Sequence, residues 1–173
     1  VCSALGMAHA AGILHLDIKP DNILLGKNPT MVKITDFGVA RLASEAATMT
    51  AFASEQGPSA DLFVPDLFTS AYTGIMGTAA YMSPEQVRRE QVDHRSDIFS
   101  LGVTLVELLS GRKLFECASQ ISELERIATT DAPAALKHKT NVPGRWRPLI
   151  RKCIQSKPQD RHQSVGELLQ DIR

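Results

Sequence analysis

The sequence predicts an α+β domain that is mostly α, a bundle of helices with one small β-hairpin. Three observations carry this. The segment 97–109 is apolar on most sides, which puts a helix at the centre of the domain. Ile23-Leu24-Leu25 and Val32-Lys33-Ile34 flank Gly26-Lys27-Asn28-Pro29, a strand–turn–strand pattern. Trp146, Leu149, Ile150, Cys153 and Ile154 recur at i, i+3, i+4, i+7 and i+8, the stripe of an amphipathic helix. The chain's 173 residues suit one compact domain with a substantial core.

Taken in order, residues 1–11 are Ala-rich and apolar, and Gly12 stands where a helix stops. An irregular loop, 15–22, leads into the hairpin. Antiparallel pairing brings Asn22, just before its first strand, and Asp36, just after its second, to the same open end. Residues 44–75 are rich in Ala, Ser, Thr and Gly and hold one apolar patch, residues 62–68. A long loop of this kind inside a compact domain is usually functional or mobile.

The rest reads as helical. Ser83-Pro84-Glu85-Gln86 is a capping box, with Ser at the N-cap, Pro at N1 and Gln at N3. The central segment carries Ile98, Leu101, Leu105 and Leu108 on one face, widened by Val103, Val106 and Leu109. Ser110-Gly111 ends it, with Arg112 and Lys113 near the negative end of the helix dipole. Ile121, Leu124, Ile127 and Ala128 mark a further helix. Ser156-Lys157-Pro158 stops the one that begins near Trp146. Ser164-Val165-Gly166-Glu167 opens the last, which carries Leu168, Leu169 and Ile172.

Composition excludes several functions. The 19 basic and 19 acidic side chains cancel, so net charge favours neither nucleic acid nor an anionic membrane as partner. The most apolar run, 98–109, is too short to span a bilayer and contains Ser100, Thr104 and Glu107. Cys2, Cys117 and Cys153 are odd in number, far apart and without metal-type spacing. Reduced thiols in a cytoplasmic domain are the expected state.

The chemistry-bearing residues are concentrated. His15-Leu16-Asp17-Ile18-Lys19-Pro20-Asp21-Asn22 and Asp36-Phe37-Gly38 supply a carboxylate base, a lysine and two oxygen ligands. Two adjacent oxygen ligands suit Mg²⁺, which is typically held by a few protein groups plus substrate phosphates. Each motif alone has a plainer reading: a turn for Asp36-Phe37-Gly38, a helix start for Ser83-Pro84-Glu85, a core histidine for His15, a dipole-favoured carboxylate for Asp97, a surface charge for Arg161. Their joint order and spacing decide otherwise. His15-x-Asp17-x-Lys19-x-x-Asn22, Asp36-Phe37-Gly38 and Ser83-Pro84-Glu85 resemble the catalytic loop, metal-binding motif and activation-segment end of the protein kinases. The chain is similar to the C-terminal lobe of a eukaryotic-like serine/threonine protein kinase, and residues 77–86 resemble its bacterial branch.

The resemblance implies a role for each residue. Asp17 would accept the proton of a substrate hydroxyl, and Lys19 would neutralise charge on the phosphate transferred from ATP. Asn22 and Asp36 would hold Mg²⁺ against the nucleotide. Thr78 resembles the threonine that bonds the base and the lysine. Phe37 would pack under the site beside His15, and Gly38 would let the segment turn. Glu85 and Arg161 resemble a buried ion pair, and Asp97 the carboxylate that holds the catalytic-loop backbone. On this reading residues 1–173 are the C-terminal lobe alone, and 36–85 are an activation segment with a long insert at about 44–75. Protein substrates and an N-terminal lobe in cis are the implied partners.

The sequence also departs from the family pattern. Leu16 stands where many members carry an Arg that pairs with a loop phosphate, so activity is expected not to need phosphate on residues 39–82. The insert offers Thr48, Thr50, Ser54, Ser59, Thr69, Ser70 and Thr73 as hydroxyls for autophosphorylation, although surface hydroxyls are the simpler account of them. Phe99 replaces a frequent Trp. A Gly-rich loop, a strand lysine and a helix glutamate are missing from the sequence given. The chain alone is therefore expected to be inactive and to expose the apolar surface that faces the other lobe. A pseudokinase scaffold and a small-molecule phosphotransferase are the alternatives. Retention of Asp17, Lys19, Asn22 and Asp36 opposes the first, and Lys19, Asp36-Phe37-Gly38 and the 78–85 segment oppose the second.

Overall fold

The computed structural model describes residues 1–28, 31–37, 41–42, 79–115, 120–129, 131–139 and 141–172. Gly38, Thr78, the 44–75 insert and Cys117 lie outside the described residues. Helix α1 (Cys2–Ala10) closes on Gly12, whose φ of 72° is the left-handed conformation that glycine adopts without strain. Strand β1 (Ile13–Leu14) follows, then the loop that holds Asp17. A short 3-10 turn over Pro20–Asn22 leads into β2 (Ile23–Leu25), which pairs antiparallel with β3 (Val32–Ile34) in the register Ile23 to Ile34. A second antiparallel pair, β1 with β4 (Arg41–Leu42), has no counterpart in the sequence reading.

The helical body begins at α2 (Pro84–Arg88). Its capping box is complete: Gln86 N–H donates to the Ser83 side chain, and the Gln86 side chain accepts from the Ser83 N–H. The central helix α3 runs from His94 to Ser110, starting three residues earlier than the apolar pattern suggests because Asp93 caps it through the Arg95 N–H. Gly111 ends it in the left-handed conformation, at a φ of 71°. Ile98, Phe99, Val103 and Val106 on α3 are fully buried. Leu108 is not part of that core: it is 58% exposed, because nothing described covers that side of the helix.

Helix α4 (Gln120–Thr129) contributes buried Ile127. A short helix absent from the sequence reading, α5 (Ala132–Lys137), follows Asp131 with proline at its N-terminus. Helix α6 (Arg147–Cys153) buries Leu149, Ile150 and Cys153 against α3, and α7 (Val165–Ile172) buries Leu168. Ser164 caps α7 by accepting from the Glu167 N–H, whereas the Glu167 carboxylate takes the Gln163 N–H. Gly102 lets α3 and α6 approach closely: a Cβ there would lie 2.7 Å from both Cys153 Cβ and Ile154 Cγ2. No helix among the described residues is long and apolar enough to cross a membrane.

Candidate active site

One polar row on the central helix carries the loop that holds Asp17. Asp97, Ser100 and Thr104 follow i, i+3, i+7 spacing, so they share a face. Asp97 is completely buried and accepts three hydrogen bonds: from His15 N–H at 2.9 Å, Leu16 N–H at 2.7 Å and the His9 ring at 2.8 Å. The Thr104 hydroxyl donates to Ile18 carbonyl, and the Ser100 hydroxyl to Tyr81 carbonyl. From the other side, the Gln86 amide donates to Leu16 carbonyl at 3.2 Å. Loop residues 15–18 are thus tied at both N–H and C=O groups, which is how an irregular buried backbone satisfies its polar atoms.

That anchoring holds Leu16 at a φ of 60°. A non-glycine residue there costs about 1–3 kcal/mol, a strain that surrounding contacts must impose. Asp36 carries the same strain at 59°. The two strained residues bracket the site: one precedes Asp17, and the other is the candidate metal ligand itself.

Asp17 is 8% exposed and its two oxygens differ. Oδ2 takes the Lys19 ammonium at 2.9 Å and the Asn22 amide at 3.0 Å. Oδ1 is the one buried side-chain polar atom without a partner among the described residues. A buried acceptor with no donor is costly, and a catalytic role is one physical reason for keeping it. The Asn22 amide also donates to Asp17 carbonyl at 2.8 Å, which fixes the end of the loop.

The hairpin delivers Asp36. Thr35 N–H donates to Asn22 carbonyl at 2.9 Å, extending the β2–β3 ladder by one step, so Asn22 and Asp36 sit at its open end. Asp36 is exposed and Asn22 buried. Because the Asn22 amide N–H₂ is committed to Asp17, its carbonyl oxygen is the atom left for a cation. These are hard oxygen donors, and two of them fit Mg²⁺ completed by phosphate and water. Among the described residues no cluster of three or more His, Cys, Asp or Glu side chains could hold a metal alone. The His15 ring lies tilted against Phe37, with centroids 4.5 Å apart, and hydrogen-bonds Thr35 carbonyl, joining the loop 15–22 to residues 35–37. Phe37 is nevertheless exposed, as are Leu24, Leu25 and Met31 on the hairpin, so the site opens onto an uncovered apolar surface.

Glu85 and Arg161 are brought together from α2 and the loop before α7. Both are buried and meet as a fork, at 2.6 Å and 2.7 Å. The other guanidinium N–H groups reach Arg95, Gln155 and Ser156 carbonyls, so all five donors have acceptors. The guanidinium lies 4.9 Å over Phe99, and Ser96 hydroxyl donates to Glu85 at 2.6 Å. Burial pushes the Glu85 carboxyl up, but the hydrogen bonds and charge of Arg161, with the Ser96 bond, outweigh it and hold the group below its ordinary value of 4.5. Cys153 is inert by the opposite balance, since burial pushes its thiol well up.

Sequence reasoning missed His9, Gln86 as a loop anchor, Ser96, Ser100 and Thr104. The residue signal for them is weak: a histidine on an apolar helix and hydroxyls on a helix face have ordinary explanations, and their partners lie up to 88 positions away.

A buried, strained loop thus brings together a half-satisfied aspartate, a lysine bonded to it and two oxygen donors at a hairpin mouth. The chain belongs to the protein kinase family, whose domain it matches over residues 1–171. It is 33% identical over 172 residues to the serine/threonine-protein kinase PknB of Mycolicibacterium smegmatis, an alignment covering 99% of this chain and 24% of that protein. It is 35% identical over 177 residues to a probable serine/threonine-protein kinase PknB of Bifidobacterium longum, covering 99% and 22%. Identity to the serine/threonine-protein kinase pkn3 of Myxococcus xanthus is 33% over 171 residues, covering 95% and 28%. The chain therefore spans about a quarter of the length of these relatives.

Proposed function

We propose that this chain is the substrate-side half of a serine/threonine protein kinase that transfers the γ-phosphoryl group of ATP to protein hydroxyls. The observation that carries the proposal is the asymmetry of Asp17. Lys19 and Asn22 fix Oδ2, and Oδ1 is buried with no donor among the described residues, available to accept a proton from a hydroxyl. Asp17 is thereby oriented as a base, a role typically worth about 10²–10⁴ in rate. Lys19 places a positive charge at the oxygen where that proton leaves, beside the incoming phosphoryl group. Asn22 and Asp36 would hold Mg²⁺, which when bound neutralises the nucleotide phosphates. Thr78 is assigned the hydroxyl contact to Asp17 and Lys19 that the family resemblance implies. The names of the relatives favour serine and threonine as acceptors.

The exposed hairpin residues Leu24, Leu25 and Met31 support a second part of the proposal. They form apolar surface at the site's mouth, suited to cover by nucleotide and a second lobe. The 173-residue chain alone is expected to show no ATP-dependent transfer to a generic basic protein, and the full-length protein to show it only with Mg²⁺ present. A radiolabel transfer assay with both proteins tests this. Robust transfer by the chain alone would remove the two-lobe part, and transfer to small alcohols but not to protein would remove the protein-kinase reading.

A further inference from the structure

Helices α5 and α6 enclose a groove of about 450 Å³ lined by Pro133, Leu136, Arg147, Pro148, Arg151 and their neighbours. None of the residues assigned to phosphoryl transfer lines it. The chain has no net charge, yet this groove has Lys137, Arg147, Arg151 and Lys152 on its walls and no carboxylate.

The four cations are not equivalent. The Arg147 guanidinium turns back to the carbonyls of Leu136, Lys139 and Val142, closing the end of α5 and joining it to α6. The groove is therefore preformed, and Arg147 is a wall. Lys152 is drawn away to Glu167 at 2.6 Å and Asp171 at 3.6 Å. Lys137 and Arg151 remain, both exposed and neither bonded to a carboxylate among the described residues. Each sits in the last turn of its helix, where the dipole favours a cation. That preference accounts for one cation per helix. It does not account for two of them facing one groove over an apolar floor of Pro133, Leu136 and Pro148.

Charge complementarity names the occupant. We infer that this groove docks an acidic peptide segment of a partner protein, its carboxylates pairing with Lys137 and Arg151 and an apolar side chain seated on Pro133, Leu136 and Pro148. Paired charges would give specificity and speed encounter, and the apolar contact would hold the segment in place. A protein kinase with such a groove can hold a substrate or regulator by a segment remote from the hydroxyl being modified. This inference does not depend on Asp17 being the base.

The test uses the full-length protein and fluorescein-labelled peptides of equal length: one alternating Glu and Leu, one alternating Glu and Ser, one alternating Lys and Leu. Fluorescence anisotropy should show binding of the Glu-Leu peptide, weaker binding of Glu-Ser and none of Lys-Leu. The K137E/R151E variant should weaken Glu-Leu binding by at least about tenfold, as expected for losing and reversing two charge pairs. Reversing two cations outside the groove, Arg112 and Lys157, should leave binding unchanged. If K137E/R151E fails to fold by circular dichroism, K137Q/R151Q is used and should weaken binding in the same direction. Unchanged binding in the folded groove variant would overturn the inference. So would equal loss in the Arg112/Lys157 variant, or tighter binding to phosphatidylserine vesicles than to peptide.

Discussion

Two buried carboxylates in this fold make opposite use of burial. Glu85, on the helical body, meets Arg161 with both oxygens and Ser96 with one, so each desolvated oxygen has at least one donor. Asp17, on the loop, has one oxygen held by two donors and the other by none among the described residues. A satisfied carboxylate resists change and locks two segments together. A half-satisfied one stores an unmet demand that a substrate hydroxyl can answer. The neighbouring backbone differs in part: Leu16 and Asp36 are strained beside the site, whereas α2 starts on a complete capping box and α3 ends on Gly111, although α2 itself ends on a left-handed Arg89.

The comparison can be broken most forcefully at the ion pair. Glu85→Gln strands the Arg161 charge in the core, and loss of one buried partner typically costs about 3–5 kcal/mol. Denaturant unfolding of the full-length protein should show a midpoint shift of that order. Acid should do the same reversibly. The folded pKa of Glu85 lies below its ordinary 4.5, so the unfolded chain binds the proton more readily. The pair's contribution is then complete above that ordinary value and is lost as pH falls through the lower, folded pKa. A pH titration of stability should flatten in the acid range when Glu85 is replaced.

Asp97→Asn comes next. The amide keeps one acceptor but presents N–H₂ to a backbone N–H, so at least one charged bond to His15 or Leu16 is lost, at about 1.5–3 kcal/mol. Amide hydrogen exchange at His15 and Leu16 should rise together with a fall in kcat, since the loop loses its anchor. Gly102→Ala should cost about 1–3 kcal/mol by driving α3 off α6, read as a lowered Tm with kcat preserved. The smallest effect belongs to Lys152→Ala. Its ion pairs to Glu167 and Asp171 are partly exposed at the surface, so a change under about 1 kcal/mol is expected, shrinking further in salt.

The same contrast explains what the sequence disclosed. That Asn22 and Asp36 share the hairpin's open end was legible because two apolar runs around a turn signal antiparallel pairing locally. The caps at Ser83 and Gly111 were legible because helix ends leave backbone groups to satisfy within a few residues. Other features depend on distant chain segments. His9 and Asp97 are 88 positions apart, and nothing local marks their bond. Leu108 has the periodicity of a core residue but lies on a side of α3 that no described element covers. Helix α5 is too short and too Ala-rich to show a stripe, and its groove arises only when α6 closes on it.

The central claim is that Asp17 differs in kind from Glu85, being held for chemistry and not for stability. Asp17→Asn in the full-length protein tests it, with Mg²⁺-dependent phosphoryl transfer and denaturant unfolding measured on the same sample. The account predicts a loss of roughly a thousandfold in kcat, within the span expected of a lost base, with stability at or above that of the parent. Near-parental transfer by the variant, or unfolding as severe as that of Glu85→Gln, would contradict it.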